Sequence, residues 1–204
     1  MTKYGDVRSD FKKVSEIPTE IQLPVKKKTT FTCNNKILFS VLIDLRKEKD
    51  FNESVAYYLE DNNPSDCKDI LFIEKSIDLN DDGIKEAVVR GKNWLLCGAT
   101  GNCSTWIYGK FGNKYKKLLD TGGETLEVKR NSTNDYKNIF VRVHDSCCSA
   151  YLATYKFNGK KYKEASCLFE DHTPSGERYL MTCAEKTKQS QEELREAQQQ
   201  SRTQ

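Results

Sequence analysis

The sequence predicts a β-dominated α+β fold: antiparallel hairpins in a meander, one helix near the N-terminal part, disulfide staples and polar tails. Three observations lead there. Short segments rich in β-branched and aromatic residues recur after residue 68, separated by turn residues. One segment, KEKDFNESVAYYLED, places Phe51, Val55, Tyr58 and Leu59 at helical spacing. Eight cysteines accompany only two histidines.

Residues 1–29 form a polar arm carrying Pro18, Pro24 and the basic run 26–28. A single β-rich domain is expected over residues 30–183. A polar tail, helical or disordered, follows over residues 184–204, where Leu194 is the one large apolar side chain. Within the domain, the apolar run 37–43 is short and contains enough β-branched residues for a strand. The helix is expected near residues 47 to 60 with Asp50 as its cap. Residues 62–65, Asn-Asn-Pro-Ser, then break the chain before DILFIEKSI, the next strand.

Further strands are expected in AVVRG, NWLLC, STWIYGKF, KYKKLL, TLEVK, NIFVRVH, YLATYKF and KKYKEASCLFE. Gly112-Asn113 and Asn158-Gly159 lie between pairs of these and read as hairpin turns. The two hairpins resemble each other: KF-GN-KYK over residues 110–116 echoes KF-NGK-KYK over residues 156–163. Each is preceded by a Cys-Ser pair, Cys103-Ser104 and Cys148-Ser149, a weak sign of internal duplication. Trp94, Trp106, Tyr108, Tyr115, Tyr151, Tyr155 and Tyr162 belong to the core or edge of such a sheet, with the interleaved lysines on solvated faces.

Charge excludes some functions. Thirty-three basic and 30 acidic residues leave a formal net charge of +3, too balanced to predict attraction to nucleic acid or to a membrane surface. No run approaches the ~20 apolar residues of a transmembrane helix, and the start MTKYGDVRSDFKK lacks the apolar core of a secretory signal. The cysteines, at positions 33, 67, 97, 103, 147, 148, 167 and 183, show no C-x-x-C and the histidines no H-x-x-x-H spacing. Disulfides are therefore favoured over zinc, and with them an oxidising, periplasmic or secreted, setting. Cys97 and Cys103 are the expected local pair, because Gly98 and Gly101 let the short loop CGATGNC close on itself. The adjacent Cys147 and Cys148 are expected to reach two different partners.

The segment SIDLNDDGIKEAVV has the sharpest chemical pattern. Oxygen side chains alternate at Asp78, Asn80 and Asp82, Gly83 permits a sharp bend, the Ile84 carbonyl can turn inward, and Glu86 returns a carboxylate. Calcium takes six to eight oxygen ligands at about 2.3 to 2.6 Å, and this spacing can wrap them round one point. An EF-hand is excluded, since the twelfth residue from Asp78 is Val89 rather than Glu. Asp78, Asp81, Asp82 and Glu86 crowd four carboxylates together, which is repulsive unless something positive relieves it. A metal-free Asx turn uses the same residue types.

On Asp78, Asn80, Asp82, Gly83 and Glu86 followed by AVV, the segment resembles the calcium loops of FG-GAP or VCBS-type repeats of integrin-like propellers and bacterial envelope proteins. The resemblance covers about twenty residues. It implies a single structural calcium site held by Asp78, Asn80, Asp82, Ile84 and Glu86. Two departures argue against a propeller of such repeats: no second D-x-N-x-D-G occurs, and the ninth position is Glu where Asp is more usual.

Catalytic inventories are thin. Cys103, His144 and Asp145 supply the types for acyl transfer, but STWIYGKF reads as a strand rather than the helix start that activates a cysteine. His172 in EDHTPSG reads as a solvated loop residue, and DTGG at residues 120–123 as a turn. No Walker A, G-x-G-x-x-G or G-x-S-x-G motif occurs. The sequence thus predicts a non-enzymatic extracytoplasmic binding protein with a structural calcium-like loop. Its partner is expected to be a protein or envelope component held by loops near the cystines. Two alternatives stand beside it: an inhibitor or immunity protein against a cell-wall enzyme or toxin, presenting CGATGNC as a rigid loop, and a cysteine hydrolase built on Cys103 and His144.

Overall fold

The computed structural model describes residues 20–22, 30–47, 66–173 and 175–202. The chain forms two compact units, residues 1–69 and 70–204. The helix expected near residues 47 to 60 lies outside the described residues beyond Lys47.

In the first unit, β1 (Glu20–Gln22) pairs antiparallel with β2 (Thr30–Thr32), and α1 (Lys36–Leu45) follows. The apolar run 37–43 is therefore helical, not the expected strand. Asn35 decides this, because its side-chain oxygen accepts the N–H groups of Ile37 (2.9 Å) and Leu38 (3.2 Å) and so caps the helix start. The buried residues Leu38, Val41, Leu42 and Leu45 fall at i, i+3, i+4 and i+7, one helical stripe concealed within an almost continuous apolar run. A disulfide from Cys33 to Cys67 ties the approach to α1 to a 3-10 turn at Cys67–Asp69.

The second unit is an antiparallel meander of nine strands in chain order. Its first sheet consists of β3 (Leu71–Ile77), β4 (Glu86–Gly91), β5 (Cys103–Phe111) and β6 (Lys114–Gly123). The second consists of β7 (Thr125–Thr133), β8 (Tyr136–His144), β9 (Ser149–Phe157), β10 (Tyr162–His172) and β11 (Arg178–Thr182). This is the β-dominated α+β architecture expected from sequence.

One core joins the sheets. Leu79, Val88, Ile107, Leu118 and Leu119 come from the first, and Leu126, Ile139, Val141, Phe157 and Tyr162 from the second. Each fully buried aliphatic side chain contributes about 1.5 to 3 kcal/mol relative to exposure. The sheets part at Glu124. There Arg90 donates to the carbonyls of Gly123 (2.7 Å) and Glu124 (2.5 Å), and Arg142 pairs with the Glu124 carboxylate (2.5 Å). A Cβ on Gly123 would lie 2.7 Å from Val141 Cγ1, so only glycine fits this crossing.

Two expectations need correction here. NWLLC is not a strand: residues Asn93–Leu96 form a helical turn, α2, folded back on Gly91 so closely that a Cβ there would sit 2.3 Å from Leu96 Cβ. RYLMT, unassigned from sequence, is the edge strand β11, paired to β10 from His172↔Arg178 to Leu168↔Thr182. The C-terminal segment is helical, α3 (Cys183–Arg202), and starts in a capping box. Thr182 Oγ1 accepts the Glu185 N–H (3.2 Å) while the Glu185 carboxylate accepts the Thr182 N–H (2.7 Å). A Cys167–Cys183 disulfide ties its first residue to β10.

The two similar hairpins occupy equivalent places, β5–β6 as third and fourth strands of the first sheet and β9–β10 as third and fourth of the second. Their loops differ in length. Gly112-Asn113 is a two-residue turn, whereas residues 158–161 make a longer one in which the Asn158 side chain accepts the N–H groups of Lys160 and Lys161, both at 3.0 Å. The first hairpin therefore pairs Phe111 with Lys114 and Lys110 with Tyr115, while the second pairs Phe157 with Tyr162. Phe157 enters the core at 7% exposure, and Phe111 stays 40% exposed. Accordingly, Phe157→Ala is expected to cost about 3 to 5 kcal/mol and Phe111→Ala about 1 kcal/mol or less, as read by urea denaturation.

Candidate functional site

The oxygen-rich segment is the connection between β3 and β4: Asp78, Asn80, Asp82 and Ile84 lie in it, and Glu86 opens β4. The backbone turns at Asp81 (φ 58°) and Gly83 (φ 83°), both in the left-handed region that Asp tolerates and Gly adopts freely. Asp78 accepts the N–H of Gly83 at 2.8 Å and that of Asn80 at 3.3 Å; Asp82 accepts the N–H of Ile84 at 2.7 Å and the Asn80 amide at 2.8 Å. Ile84 is exposed. Glu86, the first residue of β4, is buried at 3% exposure and accepts the N–H of Leu79 at 2.9 Å. Leu79 itself is fully buried in the core that joins the sheets. An acidic loop is thus pinned at one hydrophobic residue.

Sequence reasoning missed the partners from the second sheet. Lys137, on β8, donates from its ammonium to Asp81 Oδ1 (2.6 Å) and to the Asp78 carbonyl (3.0 Å), and its backbone N–H bonds the Leu79 carbonyl (2.7 Å). Tyr162 on β10 donates to the Lys137 carbonyl (2.7 Å). Part of the positive charge that the crowded carboxylates require comes from this lysine. Nothing in the spacing of the loop signals it, since Lys137 lies more than fifty residues away.

The electrostatics follow from placement. Burial raises Glu86 above its ordinary 4.5, with the charges of Asp82 and Asp78 adding to the rise and the Leu79 N–H opposing it. Burial likewise acts to raise Asp78, but the N–H groups of Gly83 and Asn80 outweigh it and hold that carboxyl below 3.8. Tyr136 and Tyr162 are both pushed up, first by burial and then by the Glu86 charge. Glu86 is the costly group, a buried carboxylate beside two others.

Asp78, Asn80, Asp82, Glu86 and the Ile84 carbonyl are all hard oxygen donors, the chemistry that suits calcium rather than a transition metal. Each carboxylate oxygen that accepts one N–H keeps another lone pair. Among the described residues no group of three or more His, Cys, Asp and Glu side chains is arranged to hold a metal ion.

The opposite end of the same unit gathers the cystine loop and the thiols. Cys97 is bonded to Cys103, as its spacing predicts, closing residues 98–102 into a small exposed loop. Asn102 clamps this loop to the end of β8: its amide donates to the His144 carbonyl (2.6 Å) and its oxygen accepts the His144 N–H (2.8 Å). His144 Nδ1 lies 3.0 Å from the Thr100 carbonyl. The bond to Cys97 removes the thiolate that a Cys103/His144 hydrolase requires. Cys147 and Cys148 do not reach two partners: both are free, exposed and adjacent in the β8–β9 turn. The other six cysteines pair among themselves. His172, at the end of β10, donates its N–H to the Cys148 carbonyl (3.0 Å). Trp94, in α2, adds a large side chain at 53% exposure just before the cystine loop.

Comparison of the chain with protein-family models, with curated proteins and with solved structures gives no match. No helix among the described residues is long and apolar enough to cross a membrane.

The raised Glu86 carboxyl carries a pH dependence of known sign. Its folded-state value lies above the unfolded one, so its contribution to stability is full below 4.5 and is lost as pH rises through the folded-state value. In the presence of a chelator, Glu86→Gln, which keeps an acceptor for the Leu79 N–H, is expected to be more stable than the wild type at about pH 7 and to lack this slope. Urea midpoints measured from about pH 4 to about pH 8 check it.

Proposed function

We propose that this is a non-enzymatic, extracytoplasmic binding protein, periplasmic or secreted. It recognises a protein or envelope component through the end formed by residues 98–102 and 145–148, and it holds a structural calcium ion at the opposite end. The observation that carries the reading is the doubly tied cystine loop: the Cys97–Cys103 bond closes it and the two Asn102–His144 hydrogen bonds fasten it to the second sheet. A loop so restrained loses little conformational entropy on docking. Exposed Trp94 beside it has the surface that dominates many interfaces. Three disulfides support an oxidising compartment.

The same rigid loop favours a second reading within this class, an inhibitor or immunity protein that blocks a cell-wall enzyme or toxin. Affinity capture from an envelope extract separates the two. One stoichiometric enzyme among the retained proteins, inhibited by the pure chain, favours inhibition, and a retained non-enzymatic component favours the broader reading. In either case Trp94→Ala and Thr100→Arg are each expected to weaken capture at least about tenfold, the loss of one interfacial anchor. Capture unchanged by both would place the partner elsewhere and defeat the proposal.

Calcium at the loop would neutralise Asp78, Asp82 and the buried Glu86, with Asn80 and the Ile84 carbonyl completing the oxygen set. Its role is to fix the β3–β4 connection. Binding only the folded chain, it is expected to raise stability by about 2.7 kcal/mol at a hundred times its dissociation constant. Thermal melts in chelator and in added calcium measure this. A shift that Asp78→Ala and Glu86→Gln both abolish supports the site; an unchanged midpoint leaves the loop an Asx turn.

A further inference from the structure

Cys147 and Cys148 are an unusual pair. They are neighbours in sequence, both exposed, at the tip of the β8–β9 hairpin, and their sulfurs stand 2.8 Å apart. All six remaining cysteines are committed to cystines, so no third thiol of this chain competes for them. The turn beneath them is firmly built. Asp145 and Ser146 both send their N–H groups to the Ser149 carbonyl (3.0 and 3.3 Å), the Ser146 and Ser149 hydroxyls meet at 2.6 Å, and Asp145 accepts from the Ser149 hydroxyl (3.1 Å). The Cys148 carbonyl is held by the His172 N–H. The two thiols are therefore presented to solvent on a braced support.

We propose that Cys147 and Cys148 form a redox-active dithiol that reacts with external disulfides and closes a reversible vicinal disulfide, distinct in lability from the three structural bridges. The thiolate of Cys147 attacks one sulfur of the incoming disulfide, forming a mixed disulfide and expelling the first thiolate. The thiolate of Cys148 then attacks Cys147 Sγ, forming the bond between the two cysteines and expelling the second. The dithiol loses two electrons and two protons, and the reagent gains them as two thiols. The hydrogen bond between the two sulfurs pushes the Cys148 thiol up. A bond between adjacent residues closes an eight-membered ring around a single planar peptide unit, so the closed ring is strained and readily reduced. Exposed and strained disulfides have the more oxidising potentials, the range of labile or catalytic pairs.

The test uses the full folded chain in two arms, one with glutathione disulfide and one with an unfolded disulfide-bonded polypeptide, each followed by alkylation and intact mass. The expected product has lost two hydrogens, retains no adduct and shows no alkylatable thiol. Closure in the first arm only identifies small disulfides as the oxidant, and closure in the second identifies proteins; either supports the proposal. Cys147→Ser and Cys148→Ser, at exposed sites and verified as folded by thermal melting, should instead trap a lasting mixed disulfide at the remaining cysteine. Reduced glutathione should then reopen the wild-type ring while the other three bridges survive. Stable adducts on the wild type, dimers joined through these cysteines, persistent thiols in both arms, or reduction of all four bridges together would overturn it.

Discussion

The burial of Leu79 organises this molecule. It lies within a loop of aspartates, yet it is fully buried in the core shared by the two sheets. Its N–H is held by Glu86 and its carbonyl by Lys137, so hydrophobic burial and two hydrogen bonds from different sheets act on one residue. A loop that would otherwise repel itself is carried along by that anchor. The electrostatic consequence falls on Glu86, whose carboxylate is buried at 3% exposure where it accepts the Leu79 N–H.

The meander imposes a division of labour. Antiparallel strands in chain order send alternate connections to opposite ends. The β3–β4 loop therefore shares an end with the turns at residues 112–113, 134–135 and 158–161. The cystine loop, the thiol hairpin and the β10–β11 connection share the other. Anything bound at the acidic loop is separated from the loop cluster by the length of the strands.

Much of the sheet was legible because hairpins are local. The pairs STWIYGKF and KYKKLL, and YLATYKF and KKYKEASCLFE, carry their turns between them, and each became a strand. The run 37–43 misled because an almost unbroken apolar stretch has no visible period, and the arbiter was a polar residue, Asn35, just outside it. NWLLC misled because its folding back depends on the missing side chain of Gly91. Of the acidic loop, its residues and turn were readable. Its partners Lys137 and Tyr162 were not, because they arrive through packing of the second sheet. The adjacent cysteines illustrate the same limit: parity suggested distant partners, and only the fold shows the other six already matched.

Few side chains of α3 contribute to any interior, and Leu194 lies 63% exposed. The helix begins at a capping box and at the sulfur bridge to Cys167. Beyond these, Lys186 lies 4.9 Å over the ring of Phe169 on β10, whereas the attachment of the strands is hydrophobic and shared. The protein accordingly possesses two independent kinds of permanence. A reductant strong enough to open Cys167–Cys183 would leave this twenty-residue polar helix held by its capping box and the Lys186–Phe169 contact, with the sheets beneath it intact.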